Sequence, residues 1–279
     1  MRNEDISGLL LNICLGRKHH QHGRGKNLYK VGDEEYEYMR RCIESKVVKN
    51  KPIEFFINYS GSKNPNACPY PEPDESERHA LASLYKLIMQ IEKIYSHSVI
   101  IHIIVNDARA IFANNARIED TVRYFNGLKR MIEQDECFVK YFKPILLSQI
   151  WDSIGKEFYS LLEINVAEVE KQIREDEDYE ELINRAERSS RPDNADSNLD
   201  QAVVRFKASL MTENQLKIWE KKFPNVVMMS YRINPAWGIP FLLPWATGKG
   251  QTTQPWHGWY DEETRRVMTK YRQSKQTYS

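Results

Sequence analysis

Apolar residues recur at helical spacing in the opening stretch, residues 5–15, where Ile6, Leu9, Leu10 and Ile13 share a face. The same period predicts a helix over 33–48, with acids first and Arg40 and Arg41 later, and a longer one over 75–95 carrying Leu81, Leu84, Leu87, Ile88 and Ile91. Two runs between these are apolar without a helical period. Residues 53–59 follow Pro52 and read as a strand, and 98–105 (SVIIHIIV) is apolar on both faces, as a central strand of a parallel sheet is. Helical spacing returns over 119–133, with Val122, Phe125, Leu128 and Ile132 predicted to face inward, while 138–150 mixes aromatic and apolar residues around Pro144. From 151 to 188 the pattern is helical and heavily charged. A turn-rich stretch, 189–198, separates it from a helix over 199–223, with a restart near Met211-Thr212-Glu213. Residues 226–233 and 239–243 flank a Pro/Gly turn and predict an antiparallel strand pair, and the polar tail, 261–279, predicts a frayed helix. Helices alternating with strands predict an α/β fold, a Rossmann-like, mostly parallel sheet flanked by helices with an antiparallel C-terminal strand pair. The expected organisation is one domain over 1–279. Its parts are N-terminal helices and a basic His-rich loop (1–50), a core (53–150), a helical segment (151–223) and C-terminal strands (226–260).

Composition narrows the class. The chain has 279 residues, 41% apolar and 28% charged, with a formal net charge of +1, so it has length for a core and no global field for nucleic acid or anionic lipid. Its four cysteines are too widely spaced for a zinc knuckle or a C-x-x-C motif, which favours free thiols and a cytoplasmic setting. No apolar run approaches the roughly 20 residues of a spanning helix, and Glu4 and Asp5 before the first apolar run are unlike a signal peptide. The cluster His19, His20 and His22 with Arg17, Lys18, Arg24 and Lys26 reads first as a solvated basic turn, since it has no carboxylate or Cys partner. His102, inside the second strand, reads as a satisfied core histidine.

Candidate chemistry concentrates after the first strand. Gly61, Pro65, Pro69, Pro71 and Pro73 forbid regular structure, and Asp74, Glu75 and Glu77 then open a helix. A loop of about 15 residues between strand and helix is uncommon unless it is functional, and strand carboxyl ends are where open α/β sheets bind ligands. Lys63 sits in this loop beside Ser62 and Asn64; the second strand ends similarly at Asn106-Asp107-Ala108-Arg109.

Three stretches carry a family resemblance. Ser60-Gly61-Ser62-Lys63-Asn64-Pro65-Asn66 followed by Pro73-Asp74-Glu75-Ser76-Glu77-Arg78 resembles the signature loop of the isonitrile synthase, or pyoverdine/dityrosine biosynthesis, family. Val105-Asn106-Asp107-Ala108-Arg109, with Phe112 and Tyr124 downstream, is similar to its Ser-Asp-Gly segment. Arg232-Ile233-Asn234-Pro235 and Pro255-Trp256-His257 resemble its two carboxy-terminal motifs. The chain departs from the pattern at Asn106, Ala108, Asn114 or Asn115, Asn234 and Gln254.

The resemblance implies conversion of an amino acid's amine, tyrosine's or tryptophan's in typical members, to an isonitrile. Ribulose 5-phosphate supplies the carbon, no metal or redox cofactor is needed, and a separate iron/2-oxoglutarate oxygenase acts later in many pathways. On that basis Lys63 is a candidate to clamp the phosphate or act on the ketose carbonyl. Asp107, Glu77 and His257 are candidate acid/base groups, and Ser62, Asn64, Arg109 and Arg232 candidate polar ligands of substrate. Tyr59 and Trp237 are candidate walls of the amino-acid slot. A different amino-acid or sugar-phosphate reaction, and a non-catalytic binding role, are the alternatives that the departures leave open.

Overall fold

The computed structural model describes residues 3–15, 32–65, 68–189, 198–231, 239–240 and 254–268. Helices α1 (Asn3–Leu15) and α2 (Glu34–Val47) precede strand β1 (Ile53–Ser60). Then follow α3 (Glu75–Glu92), β2 (Val99–Asn106), α4 (Asp107–Asn114), α5 (Ile118–Glu133), α6 (Glu136–Tyr141) and β3 (Phe142–Leu146). A helical run comprises α7 (Leu147–Ile154), α8 (Lys156–Gln172), α9 (Tyr179–Ser189), α10 (Leu199–Gln215) and α11 (Ile218–Lys222). Strands β4 (Val227–Ser230) and β5 (Ile239–Pro240), a 3-10 turn (Pro255–His257), and strands β6 (Trp259–Asp261) and β7 (Arg266–Met268) complete the described chain.

The main sheet has the order β3-β2-β1-β4-β5, and every pairing in it is parallel. Chain order runs outward from β1 through β2 to β3, then resumes on the other side with β4. The reversal between β1 and β4 is the topological switch point, where sheets of this kind open a ligand crevice at their carboxyl ends. Side chains alternate across β1 and β2. Ile53, Phe55, Ile57 and Tyr59, with Val99, Ile101, Ile103 and Val105, join a core with α1, α2, α3 and α5. Phe56 and Ile104 face the other way, into a core with α7, α8 and α10. The expected helix-flanked, mostly parallel sheet is therefore present.

Five details differ from the pattern-based expectation. The stretches 226–233 and 239–243 were expected to pair antiparallel, but Met229 pairs with Ile239 and Ser230 with Pro240 in parallel register. The antiparallel pair is β6–β7; β6 ends where the tail expected to be helical begins, and β7 lies inside that tail. The 138–150 region contains strand β3, with Pro144 within it; β3 is an edge strand, where the missing N–H of proline is tolerated. The break after α10 falls at Lys217, which has φ 50°, rather than near Met211. On α5 the inward stripe is Thr121, Tyr124, Leu128, Met131 and Ile132, while Val122 is exposed. His102 bonds through Nε2 to Glu54 at 2.9 Å, and this contact with Lys46 pulls the Glu54 carboxyl down to about 2.

Candidate active site

The loop after β1 is held by its own helix start. Asp74 is the N-cap of α3: its Oδ1 accepts from the Ser76 N–H at 2.8 Å, and Glu77 Oε2 accepts from the Asp74 N–H at 3.0 Å, a reciprocal capping box. Lys63 inserts its ammonium into this box. Nζ lies 2.7 Å from Glu77 Oε2, 3.0 Å from Asp74 Oδ1 and 2.6 Å from Ser76 Oγ, with Lys63 and Glu77 side chains fully buried. It also donates to the Gly258 carbonyl at 2.6 Å and approaches the Pro255 carbonyl at 3.4 Å. Asp74 Oδ2 takes the Tyr260 N–H at 2.7 Å and the Tyr70 hydroxyl at 2.9 Å. Two carboxylates and one ammonium thus tie the signature loop, the start of α3 and the C-terminal segment 255–260 into one knot.

Charge is unevenly shared inside it. Burial works against the Lys63 cation, yet Glu77 and Asp74 outweigh burial and raise its pKa. Burial also disfavours the Asp74 anion, but Lys63 and Ser76 more than offset it, and the carboxyl sits below its usual range. Glu77, deeper and repelled by Asp74, is pushed up by burial to about 7 against the pull of Lys63. Asp74 therefore carries the permanent negative charge, and Glu77 is the member that can exchange a proton near neutrality. Its second oxygen, Oε1, accepts from the Tyr124 hydroxyl at 3.1 Å. Burial pushes the Cys68 thiol beside the knot to about 12, so it stays neutral and is no nucleophile.

Above the knot lies the Pro-Trp-His turn. The Asn64 N–H donates to the Trp256 carbonyl at 2.8 Å, and Asn64 Nδ2 lies 2.8 Å from His257 Nδ1. An amide nitrogen donates only, so Nδ1 accepts and the imidazole proton belongs on Nε2. Trp256 packs on Tyr59 and Tyr231, with ring centroids 5.5 and 5.8 Å apart. The two tyrosine hydroxyls meet at 2.7 Å. Tyr59 ends β1 and Tyr231 follows β4, so this aromatic group marks the switch point. Burial raises both phenols, which remain protonated.

Five of the residues expected from sequence (Tyr59, Lys63, Asn64, Glu77 and His257) are thus gathered at the carboxyl end of β1, and Ser62 lies between them in the loop. Lys63 is placed differently from a phosphate clamp, because its ammonium is enclosed by protein acceptors. Asp107 and Arg109 turn elsewhere. Asp107 accepts from the Ser148 N–H at 3.0 Å and the Ser148 hydroxyl at 2.6 Å, holding the start of α7. Arg109 donates to Glu213 at 2.6 Å, an oxygen that also accepts from Trp151 Nε1 at 3.1 Å. Arg232, Trp237, Asn234, Pro235 and the His19–His22 cluster lie outside the described residues. Sequence reasoning missed Tyr124, Tyr231 and Ser76 as members of the site. Asp74, inside the signature motif, reads from sequence as a helix-start acid and not as a site residue, although its spacing to Glu77 is that of a capping box.

Among the described residues no group of three or more His, Cys, Asp or Glu is placed to hold a metal ion, and no helix is long and apolar enough to cross a membrane. A surface recess of about 460 Å³ between α8 and α10, lined by Ile173, Lys207 and Met211 among others, contains none of the expected site residues.

Comparison with known proteins agrees with the fold. The fold is similar to the crystal structure of the PvcA protein from Pseudomonas aeruginosa, with a TM-score of 0.60 at 19% identity, over 91% of this chain and 88% of that one. No curated protein matches the chain. The family model for pyoverdine/dityrosine biosynthesis proteins matches residues 43–215, which include the Lys63 loop, the Asp74–Glu77 capping box and Asp107. The chain belongs to the pyoverdine/dityrosine biosynthesis protein family, a family of biosynthetic enzymes.

Proposed function

We propose that the chain is an isonitrile synthase-like enzyme, converting the amine of an amino acid to an isonitrile with ribulose 5-phosphate as carbon donor. One observation carries this reading. The signature loop and the Pro-Trp-His turn, 193 positions apart at the Asn64–His257 contact, are assembled at the carboxyl end of β1 beside the switch point. That is where an α/β sheet of this order takes its ligand.

The chemistry requires condensation of an amine with a ketone, then proton removal and elimination. His257, held by Asn64, is the group assigned to proton transfer in this reading. Glu77, able to exchange a proton near neutrality, is the buried reservoir behind it, and Lys63 sets its charge. Trp256 and Tyr59 offer an apolar wall for an amino-acid side chain. The reading needs ribulose 5-phosphate as co-substrate, no metal or redox cofactor for this step, and a separate oxygenase for later oxidation of the product.

Incubation with ribulose 5-phosphate and each of the twenty amino acids, followed by mass spectrometry, tests it. The expected result is one amino acid whose amine is replaced by an isonitrile. Absence of turnover with all of them, together with no binding of the sugar phosphate, sinks the reading.

A further inference from the structure

We infer that Asn58, Asn106 and Arg109 form a subsite for the hydroxyl groups of a polyhydroxylated ligand, on the face of the sheet opposite the Lys63 knot. The inference rests on the sugar-phosphate reading above and says which part of such a molecule these residues meet.

Alternation along β1 separates the two faces. Ile57 and Tyr59 belong to the α3-side core, so Asn58 between them points to the α10 side. Asn58 stands one position beyond the Ile57–Met229 pair, hence beside the β1/β4 reversal. On β2, Ile104 faces the α10-side core, and Asn106, two positions on, shares its parity and pairs with Ser60. Arg109 lies one helical turn beyond Asn106, in the first turn of α4.

Three buried atoms in this group have no hydrogen-bond partner: Asn58 Oδ1, Asn106 Oδ1 and Arg109 Nε. Asn106 is the N-cap of α4, a position where an asparagine oxygen normally accepts from the helix start, yet it makes no such bond. The Arg109 guanidinium is held by Glu213 and lies over the Phe206 ring at 5.7 Å, which leaves Nε as its unpaired donor. Buried polar groups are almost always paired, so three near the ends of two adjacent strands and in the helix turn that follows point to bonds that a ligand completes.

The donor and acceptor types select the ligand. Two oxygens need donors and one nitrogen needs an acceptor, and a hydroxyl supplies both roles from one atom. Arg109 already faces the Glu213 carboxylate, so the subsite has no unbalanced cation for a phosphate dianion. The hydroxyl-bearing carbons of an open-chain sugar phosphate fit, with its phosphate elsewhere.

Calorimetric titration of the full chain with ribulose 5-phosphate and with ribitol, a neutral polyol, tests the inference in wild type, Asn58→Leu and Asn106→Ala, with Tm measured alongside. Each variant is expected to bind ribulose 5-phosphate about tenfold or more weakly. Tm should hold or rise, because an unpaired buried oxygen has been removed. Unchanged affinity overturns the subsite while leaving the sugar-phosphate reading intact, and unchanged affinity with a lowered Tm assigns the atoms to structure alone. Ribitol binding that the variants lose, without binding of ribulose 5-phosphate, supports the subsite and overturns the sugar-phosphate reading. Binding of neither by wild type overturns both. If Asn58→Leu does not fold, Asn106→Ala carries the test.

Discussion

On the α3 side of the sheet, the buried polar groups at the carboxyl edge saturate one another. Lys63, Asp74, Ser76 and Glu77 share a net of contacts of 3.0 Å or less, and main-chain groups of the 255–260 segment complete it. On the α10 side, Asn58, Asn106 and Arg109 each keep a buried atom unpaired. The first group follows the end of β1 and the second lies near the ends of β1 and β2, so both stand at the carboxyl edge and fold position does not distinguish them. Hydrogen-bond satisfaction does. A closed network fixes geometry and resists change, whereas an open one stores bonds for something that arrives later. The first group is thus expected to govern stability and the second affinity.

Lys63→Met is the most severe way to break that contrast. It leaves Asp74 and Glu77 buried without their cation, and loss of one partner from a buried pair costs about 3–5 kcal/mol. Urea denaturation should show that loss, and Lys63→Met/Glu77→Gln should recover part of it by removing one uncompensated charge. A Lys63→Met protein as stable as wild type would show that the knot is not structural.

Glu77→Gln probes the same region through pH. The folded Glu77 titrates at about 7 against an ordinary value of 4.5, so between these values the folded state holds a proton that the unfolded state has lost. Stability contributed by this group therefore falls as pH rises through that window and is flat above it. The wild type should lose on the order of 3 kcal/mol relative to Glu77→Gln from the bottom to the top of the window. Parallel stability curves would place the Glu77 titration at its ordinary value.

Much of this was legible in the sequence, for reasons that differ by element. β1, β2 and α3 were visible because their apolar patterns are long and undiluted. β3 was hidden by Pro144, which argues against a strand unless the strand is known to be an edge. From sequence β4 and β5 read as a hairpin, because a short turn-rich link normally joins antiparallel strands, and only two residues of β5 pair. At the site, Lys63, Asn64, Glu77 and His257 were singled out by motif. The enclosure of Lys63 was not, because two of its acceptors lie 192 and 195 positions away. Tyr231 and Glu213 carry no local signal, and Tyr124, though part of a motif, has no evident role until the group it bonds is seen.

Gly61→Ala acts on the boundary between the two regions. A Cβ there would lie 2.7 Å from Ala110 Cβ, 2.8 Å from the Asn106 carbonyl oxygen and 3.0 Å from Asp107 Cα. Backbone and helix atoms cannot swing aside as a long side chain can, so the loop must move off α4, at a cost of about 1–3 kcal/mol. Because it displaces both the loop that carries Lys63 and the backbone of Asn106, it is expected to lower Tm and sugar-phosphate affinity together. A fall in only one would show that the two regions are mechanically independent.

Asn64→Ala should have the smallest effect on stability and an informative one on turnover. The side-chain bond to His257 is lost, worth about 1 kcal/mol, while the main-chain bond from Asn64 to Trp256 survives, so the Pro-Trp-His turn stays docked. What changes is the imidazole, which loses the donor that fixes Nδ1 as its acceptor. If His257 moves protons in the reaction, Asn64→Ala lowers kcat, and adding it to His257→Ala lowers kcat no further. The double-mutant cycle then gives a coupling equal to the whole Asn64 effect. Independent, additive losses would mean that Asn64 contributes through some contact other than the imidazole, and the oriented-histidine reading would fail while the knot beneath it stood.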